Sequence, residues 1–339
     1  MAATAFLWDP RYAAHDTMDH PEGPDRVDRI SDHLRGTDLW ERLTELSPSP
    51  APESELLRIH TPGHIERIRR ASLVRGGEWI DADTYVSAQS YEIALLAVGG
   101  TEQATDRWVD GLVTFAAVRP PGHHAMPDQA MGFCLFNNVA IAAARLMVLG
   151  YERIAIIDWD AHHGNGTEAA FMAVPEVLYV SLHQWPLYPG TGWLDEVGVG
   201  DAEGKTVNLP LPPGSGDADG EHAFETLIEP IVDQFRPQAV LVSAGFDGHR
   251  SDPLASLKFT EAGFGAMALR CLRLAQRHCD GKMALVLEGG YERKATARSV
   301  EAVLRAIGDE QAPAVDGGKL HAAEVIDRLR GVQSRYWDL

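Results

Sequence analysis

The sequence predicts an α/β domain, a three-layer α/β/α arrangement with parallel strands covered on both faces by helices. Three observations carry this expectation. Short β-branched or aromatic runs alternate with longer stretches of helical periodicity. A chain of 339 residues that is 45% hydrophobic has enough apolar material for a large core. No internal repeat or low-complexity linker divides it, so residues 1–339 read as a single domain.

In chain order the strand signals fall at 5–8, 113–118, 154–158, 177–182, 206–209, 239–243 and 283–287. Helical patterns fall at 25–35, 62–74, 88–108, 137–149, 222–235, 260–277 and 318–332, and the segment 292–339 reads as C-terminal helices. The last pattern is amphipathic through Ala322, Val325, Leu329 and Val332, which suits either the sheet or a subunit contact. The glycine- and proline-rich stretch 183–221 reads as a shaped active-site loop rather than a boundary.

A formal net charge of -19 argues against a phosphate-tracking nucleic-acid binder, which needs a positive stripe. No run of 18 apolar residues indicates a membrane span, and the first residues lack the pattern of a secretory signal. Cys134, Cys271 and Cys279 are odd in number and widely spaced, as reduced core residues of a cytoplasmic protein would be. Oligomeric state is left open.

In parallel sheets the functional crevice lies beyond the carboxyl ends of the strands. Five such places carry unusual residues: Arg119 to His124, Asp158 to Gly166, Ser181 to His183, Gly245 to His249, and Glu288 to Tyr291. One site built from all five is the economical expectation. Asp160 and His162, two apart in an extended segment, can point the same way and grip one ion, and Asp247 supplies a third ligand. Capping of the following helix is the competing use of Asp158 and Asp160. A metal with two carboxylates and one imidazole activates water and polarises a carbonyl, which points to hydrolysis. The pair His123-His124 can move the protons, provided the two rings have different electrostatic settings. Asp158 is the expected partner of His123 and Asn165 that of His124, a contrast that raises the proton affinity of His123 relative to His124. Tyr291, aimed by Gly289-Gly290, can donate to a developing oxyanion.

The motifs HPEGPDR (20–26), RPPGHHA (119–125), MGFCLFNNVAIAA (131–143), DWDAHHGNGT (158–167), YPGTG (188–192), AGFDGHRSDPL (244–254) and LEGGY (287–291) stand in this order. With them the sequence resembles the arginase/deacetylase superfamily, within it the zinc-dependent histone deacetylase family, and especially the class II-like bacterial histone deacetylase-like amidohydrolases. The recognisable part spans residues 15–291.

The resemblance implies an eight-stranded parallel sheet and one catalytic Zn2+ held by Asp160, His162 and Asp247. It implies His124 as general base, His123 close by, and Tyr291 polarising the acyl carbonyl. It further implies one or two structural K+ ions. The first would lie at Asp158, Asp160, His162, Ser181 and Leu182, the second at the carbonyls of Phe171, Val174 and Val177. Phe133 and Tyr188 match the rings that wall an acyl-lysine tunnel, Gly132 would offer its carbonyl to the substrate amide, and Leu254 stands where polyamine-preferring members carry a gatekeeper glutamate. Gly164 and His249 replace the extra acidic ligands of the binuclear arginases, and Asn165 matches the class II pattern. The implied reaction is removal of an acetyl or other acyl group from the side-chain amine of an acyl-lysine peptide or protein. Deacetylation of an acetylated polyamine is the alternative, for which Glu22, Asp25 and Asp128 are candidate rim carboxylates.

Overall fold

The computed structural model describes residues 2–311, 313–315 and 317–339. Its strands are β1 (Ala3–Leu7), β2 (Thr44–Leu46), β3 (Glu78–Trp79), β4 (Tyr85–Val86), β5 (Leu112–Ala116), β6 (Ile154–Asp158), β7 (Val177–Gln184), β8 (Thr206–Leu211), β9 (Ala239–Ala244) and β10 (Met283–Leu287). Eight of them form one parallel sheet in the order β2-β1-β5-β10-β9-β6-β7-β8, while β3 and β4 make a separate antiparallel pair. Every residue of β6, β9 and β10 is buried. Strands apolar on both faces require cover on both faces, and helices supply it. On one side Ser90–Asp106 packs on Asn138–Val148; on the other Glu261–Cys279 packs on Arg293–Asp309, which also meets Arg26–Arg35.

Seven of the eight sheet strands coincide with the strand signals of the sequence. The eighth, β2, is three residues long, Thr-Glu-Leu, and none of the three is buried. A short polar edge strand carries no hydrophobic signature and protects the sheet edge from further pairing. The helix expected from 222 begins at Asp217 and runs on to Phe235 through one wider turn at Phe224–Ile228. Its start is marked by Asp219, whose carboxylate accepts from the backbone N–H of Gly216 at 3.0 Å. The amphipathic C-terminal helix, Ala323–Gln333, lies against β8, where the Gln333 amide donates to the Thr206 carbonyl at 3.0 Å. The chain skips two positions between β5 and β6, and β9 and β10 fill them later. This winding sets β6 beside β9, with Asp158 in register with Ser243, and so brings together tips far apart in sequence.

Candidate active site

Beyond the ends of β6 and β9, Asp160, His162 and Asp247 converge. His162 Nδ1 lies 2.8 Å from Asp247 Oδ2 and 3.2 Å from Asp160 Oδ1. One nitrogen and two carboxylate oxygens, all within 4.8 Å of one another, form a donor set able to hold a metal ion. Both aspartates are fully buried. Their outer oxygens are fixed by backbone donors: Gly289 N–H to Asp160 Oδ2 at 2.7 Å and Ala161 N–H to Asp247 Oδ1 at 2.8 Å. A Cβ on Gly289 would lie 2.4 Å from Asp247 Oδ2, so only glycine lets this backbone approach the carboxylates.

The electrostatics of the cluster call for a cation. Burial and the neighbouring Asp160 charge push the Asp247 carboxyl up to about 7. Burial opposes the charge of Asp160 too, but His123 and His162 hold its carboxyl well below the usual range. Against burial, Asp247 and Asp160 lift His162 to about 10. Two buried carboxylates facing one imidazole nitrogen are suited to a divalent cation, and this donor set fits Zn2+.

The turn after β5 presents two imidazoles with ring centroids 4.0 Å apart. His123 Nδ1 meets Asp158 Oδ2 at 3.0 Å, and His124 Nδ1 meets Asn165 Oδ1 at 2.8 Å. Burial disfavours a cation at both. At His123 the carboxylates of Asp158, Asp160 and Glu288 override it and raise the ring to about 10. At His124 burial wins, reinforced by the neighbouring His123 and His162, and the ring is held well below the ordinary imidazole value. The partners expected from the sequence, Asp158 for His123 and Asn165 for His124, are the ones these two rings meet.

A cavity of about 200 Å³ opens above this floor, lined by Asp83, His124, Gly132, Phe133, His162, Leu187, Tyr188, Leu254 and Tyr291. Phe133 and Tyr188 stand over it: the Phe133 ring meets Tyr291 edge-on at 5.6 Å, and Tyr188 meets His124 edge-on at 5.2 Å. Gly132 has φ +56, and a Cβ there would strike the His124 ring at 2.4 Å. Tyr291 is buried against the Arg26 guanidinium, 5.0 Å from its ring centroid, and burial pushes its phenol well above the usual range.

The sequence signature described as the histone deacetylase domain matches residues 20–307. The chain belongs to this family. A probable deacetylase of Archaeoglobus fulgidus is 42% identical over 293 residues, covering 85% of this chain and 81% of that protein. A histone deacetylase-like amidohydrolase of Pseudomonas aeruginosa is 38% identical over 276 residues, 80% of this chain and 72% of its own length. The crystal structure of the HDA15 HD domain superposes with a TM-score of 0.90 at 35% identity, covering 99% of this chain and 95% of that one. The fold is that of the arginase/deacetylase superfamily, and the protein is a histone deacetylase-like hydrolase with deacetylase relatives.

Within this deacetylase fold the remaining expected positions fall as follows. Asp158 and Ser181 are paired in register on β6 and β7, with Leu182 next on β7. The Ser181 hydroxyl lies 2.9 Å from His183 Nδ1. Phe171 ends the helix Asn165–Phe171; its carbonyl accepts from Val174 N–H, and the Val174 carbonyl from Val177 N–H, in the turn into β7. His249 turns away from the metal-ligand cluster toward Glu261, 3.3 Å off, and Gly164 carries no side chain, so neither adds a ligand. Glu22 is not a rim carboxylate. It is 1% exposed and bonded to Arg26 and Arg119, because its charge neutralises two buried guanidinium groups. Asp25 is tied to Arg29 and Arg293, while Asp128 is exposed.

Sequence reasoning missed three buried groups that serve the site. Glu288 Oε2 accepts from the backbone N–H groups of Gly122 and His123, at 2.7 and 3.1 Å. Burial, eased by His123, leaves its carboxyl at about 7. Asp252 accepts from Tyr291 N–H at 2.7 Å and Leu254 N–H at 3.0 Å. The Tyr179 hydroxyl donates to Asp158 at 3.2 Å. Glu288 and Asp252 lie inside motifs already singled out, and acidic residues there were the available signal.

Proposed function

We propose that the chain is a zinc-dependent amidohydrolase that removes an acetyl or other acyl group from the side-chain amine of acyl-lysine. The observation that carries this reading is the pair of unlike histidine dyads, His123–Asp158 and His124–Asn165, set beside the Asp160–His162–Asp247 donor set at the foot of a cavity walled by Phe133 and Tyr188. Zn2+ held by those three residues would supply a Lewis acid for the acyl carbonyl and lower the pKa of a bound water. His124, neutral and with Nδ1 occupied by Asn165, offers Nε2 to take the water's proton and pass it to the leaving amine. His123, kept cationic by Asp158, stabilises negative charge as it develops. The Tyr291 hydroxyl donates to the carbonyl oxygen, and its raised pKa keeps the proton in place for that task. Phe133 and Tyr188 bury the lysine methylenes and exclude water, while the Gly132 carbonyl receives the amide N–H. The products are a free amine and a carboxylate.

Structural K+ fits the same reading, with Asp158, Asp160, His162, Ser181 and Leu182 holding one ion and Phe171, Val174 and Val177 the other. A cytoplasmic location accords with three buried free cysteines. Among the described residues, no helix is long and apolar enough to cross a membrane. The second reading, an acetylated polyamine, is favoured by Asp83, a carboxylate on the tunnel wall that can meet a distant ammonium. Parallel assays on acetyl-lysine peptides, longer acyl-lysines and acetylated polyamines, with and without Zn2+, test the assignment. The expected result is Zn2+-dependent release of acid with acyl-lysine preferred; release only from polyamines selects the second reading, and none from any amide rejects both.

A further inference from the structure

A primary amide is nearly symmetric in shape but not in chemistry: one end only accepts and the other only donates. The Asp158 carboxylate facing His123 presents an acceptor in either orientation. Asn165 facing His124 does not. With its oxygen toward the ring, Nδ1 carries the hydrogen and Nε2 is free to accept a proton. With its NH2 toward the ring, the opposite tautomer is stabilised and Nε2 no longer accepts. The catalytic setting of His124 therefore depends on what holds the far end of the Asn165 amide.

Two thioethers hold it. Asn165 Nδ2 lies 3.2 Å from Met126 Sδ and 3.4 Å from Met131 Sδ. A thioether sulfur accepts weakly and donates nothing, so a reversed amide would set its oxygen against two sulfur atoms with no donor to meet it. Both sulfurs are carried on pinned turns: Met126 N–H donates to the Gln129 carbonyl at 2.9 Å, and Met131 exchanges two backbone hydrogen bonds with Cys134 at 3.2 and 3.0 Å. The Met126 carbonyl is also held by His60 Nδ1 at 3.1 Å. The Asn165 backbone is fixed as well, its N–H donating to the His163 carbonyl at 2.9 Å. With the backbone held, the contacts of the amide are the His124 ring at its oxygen and the two sulfurs at its nitrogen.

We propose that Met126 and Met131 are positioning residues for deacetylation: their sulfurs orient the Asn165 amide and so fix His124 as the tautomer that leaves Nε2 free. The proposal rests on His124 being the general base, but its readout is independent of turnover. The experiment compares the zinc-loaded protein with M126L/M131L, each with ring-15N histidine, the His124 signals being identified by their loss in H124Q. The native protein shows the Nδ1–H form alone. The double variant shows a mixture with the Nε2–H form, and kcat falls about fivefold with KM within about twofold. Unchanged tautomer signals overturn the proposal, whatever happens to kcat.

A second background guards against a mere packing effect. In N165D the partner has no donor end, so adding M126L/M131L leaves the His124 tautomer unchanged and lowers kcat no further. An equal loss in both backgrounds means the methionines act by filling space and overturns the proposal. Each single Met→Leu variant gives a smaller shift in the same direction and serves if the double variant folds poorly. Full activity in H124A would defeat the general-base reading alone, since the tautomer signals of the methionine variants would still decide the role of the sulfurs.

Discussion

The floor of the site and its rim are made of different material. The floor groups Asp158, Asp160, His162 and Asp247 sit at the tips of β6 and β9, the three aspartates fully buried and the His162 side chain 12% exposed, bonded to one another or to backbone N–H groups. The rim is loop: Asp83, Leu187, Tyr188 and Leu254 line the mouth, and Tyr188 is 37% exposed. Floor positions are held by a sheet that cannot shift one residue without losing its register. Rim positions answer to local turns. The metal-ligand cluster is therefore anchored at strand tips and the mouth is shaped by loops, so on the proposed function selection among amides would lie with the loops.

That contrast predicts a ladder of effects. The largest belongs to H124A, which removes the proposed proton acceptor beside the floor and lowers kcat by about 1000-fold with little change in KM, measured by steady-state release of acid. Tyr291→Phe keeps the ring against Arg26 and Phe133 but loses the donor, lowering kcat by about 100-fold. Equal turnover in that variant would remove Tyr291 from the chemistry.

The pH profile tests the floor electrostatics without mutation. A base held below its ordinary value stays neutral, and so competent, as pH falls through about 6.5. The log kcat/KM profile should stay flat there and bend only at lower pH; a limb centred at 6.5 contradicts the setting assigned to His124. N165D, which replaces the neutral partner with a carboxylate, moves the bend upward.

Rim changes come last. Phe133→Ala exposes the alkyl stem and raises KM about tenfold while kcat holds within about threefold. Leu254→Glu places a carboxylate at the mouth and shifts kcat/KM a few-fold toward acetylpolyamines over acetyl-lysine peptides, the scale of one exposed ion pair. A rim variant that abolished turnover, or a floor variant that changed only KM, would break the division between the two regions.

The same division decides what the sequence made legible. Strand-tip motifs single out Asp160, His162, Asp247, His123 and His124, and the fold gathers these side chains because each follows an apolar strand closely and in order. Even the unlike partners of the two histidines were readable from Asp158 and Asn165. Edge and rim were harder. β2 is too short and polar to announce itself. Glu22 looks like a free carboxylate until the fold delivers Arg119, distant in sequence, to within 2.7 Å of it. Glu288, Asp252 and the sulfurs of Met126 and Met131 act through contacts whose partners only the tertiary structure chooses.

The central claim is that one zinc ion sits among three side chains drawn from two strand tips. Crystals of the purified protein, measured just above and just below the zinc absorption edge, address it directly. The account predicts a single strong anomalous peak bounded by Asp160, His162 and Asp247, roughly 2.0–2.2 Å from a donor atom of each, and its disappearance below the edge. A peak elsewhere, or none among these residues in protein that still hydrolyses amides, would contradict it.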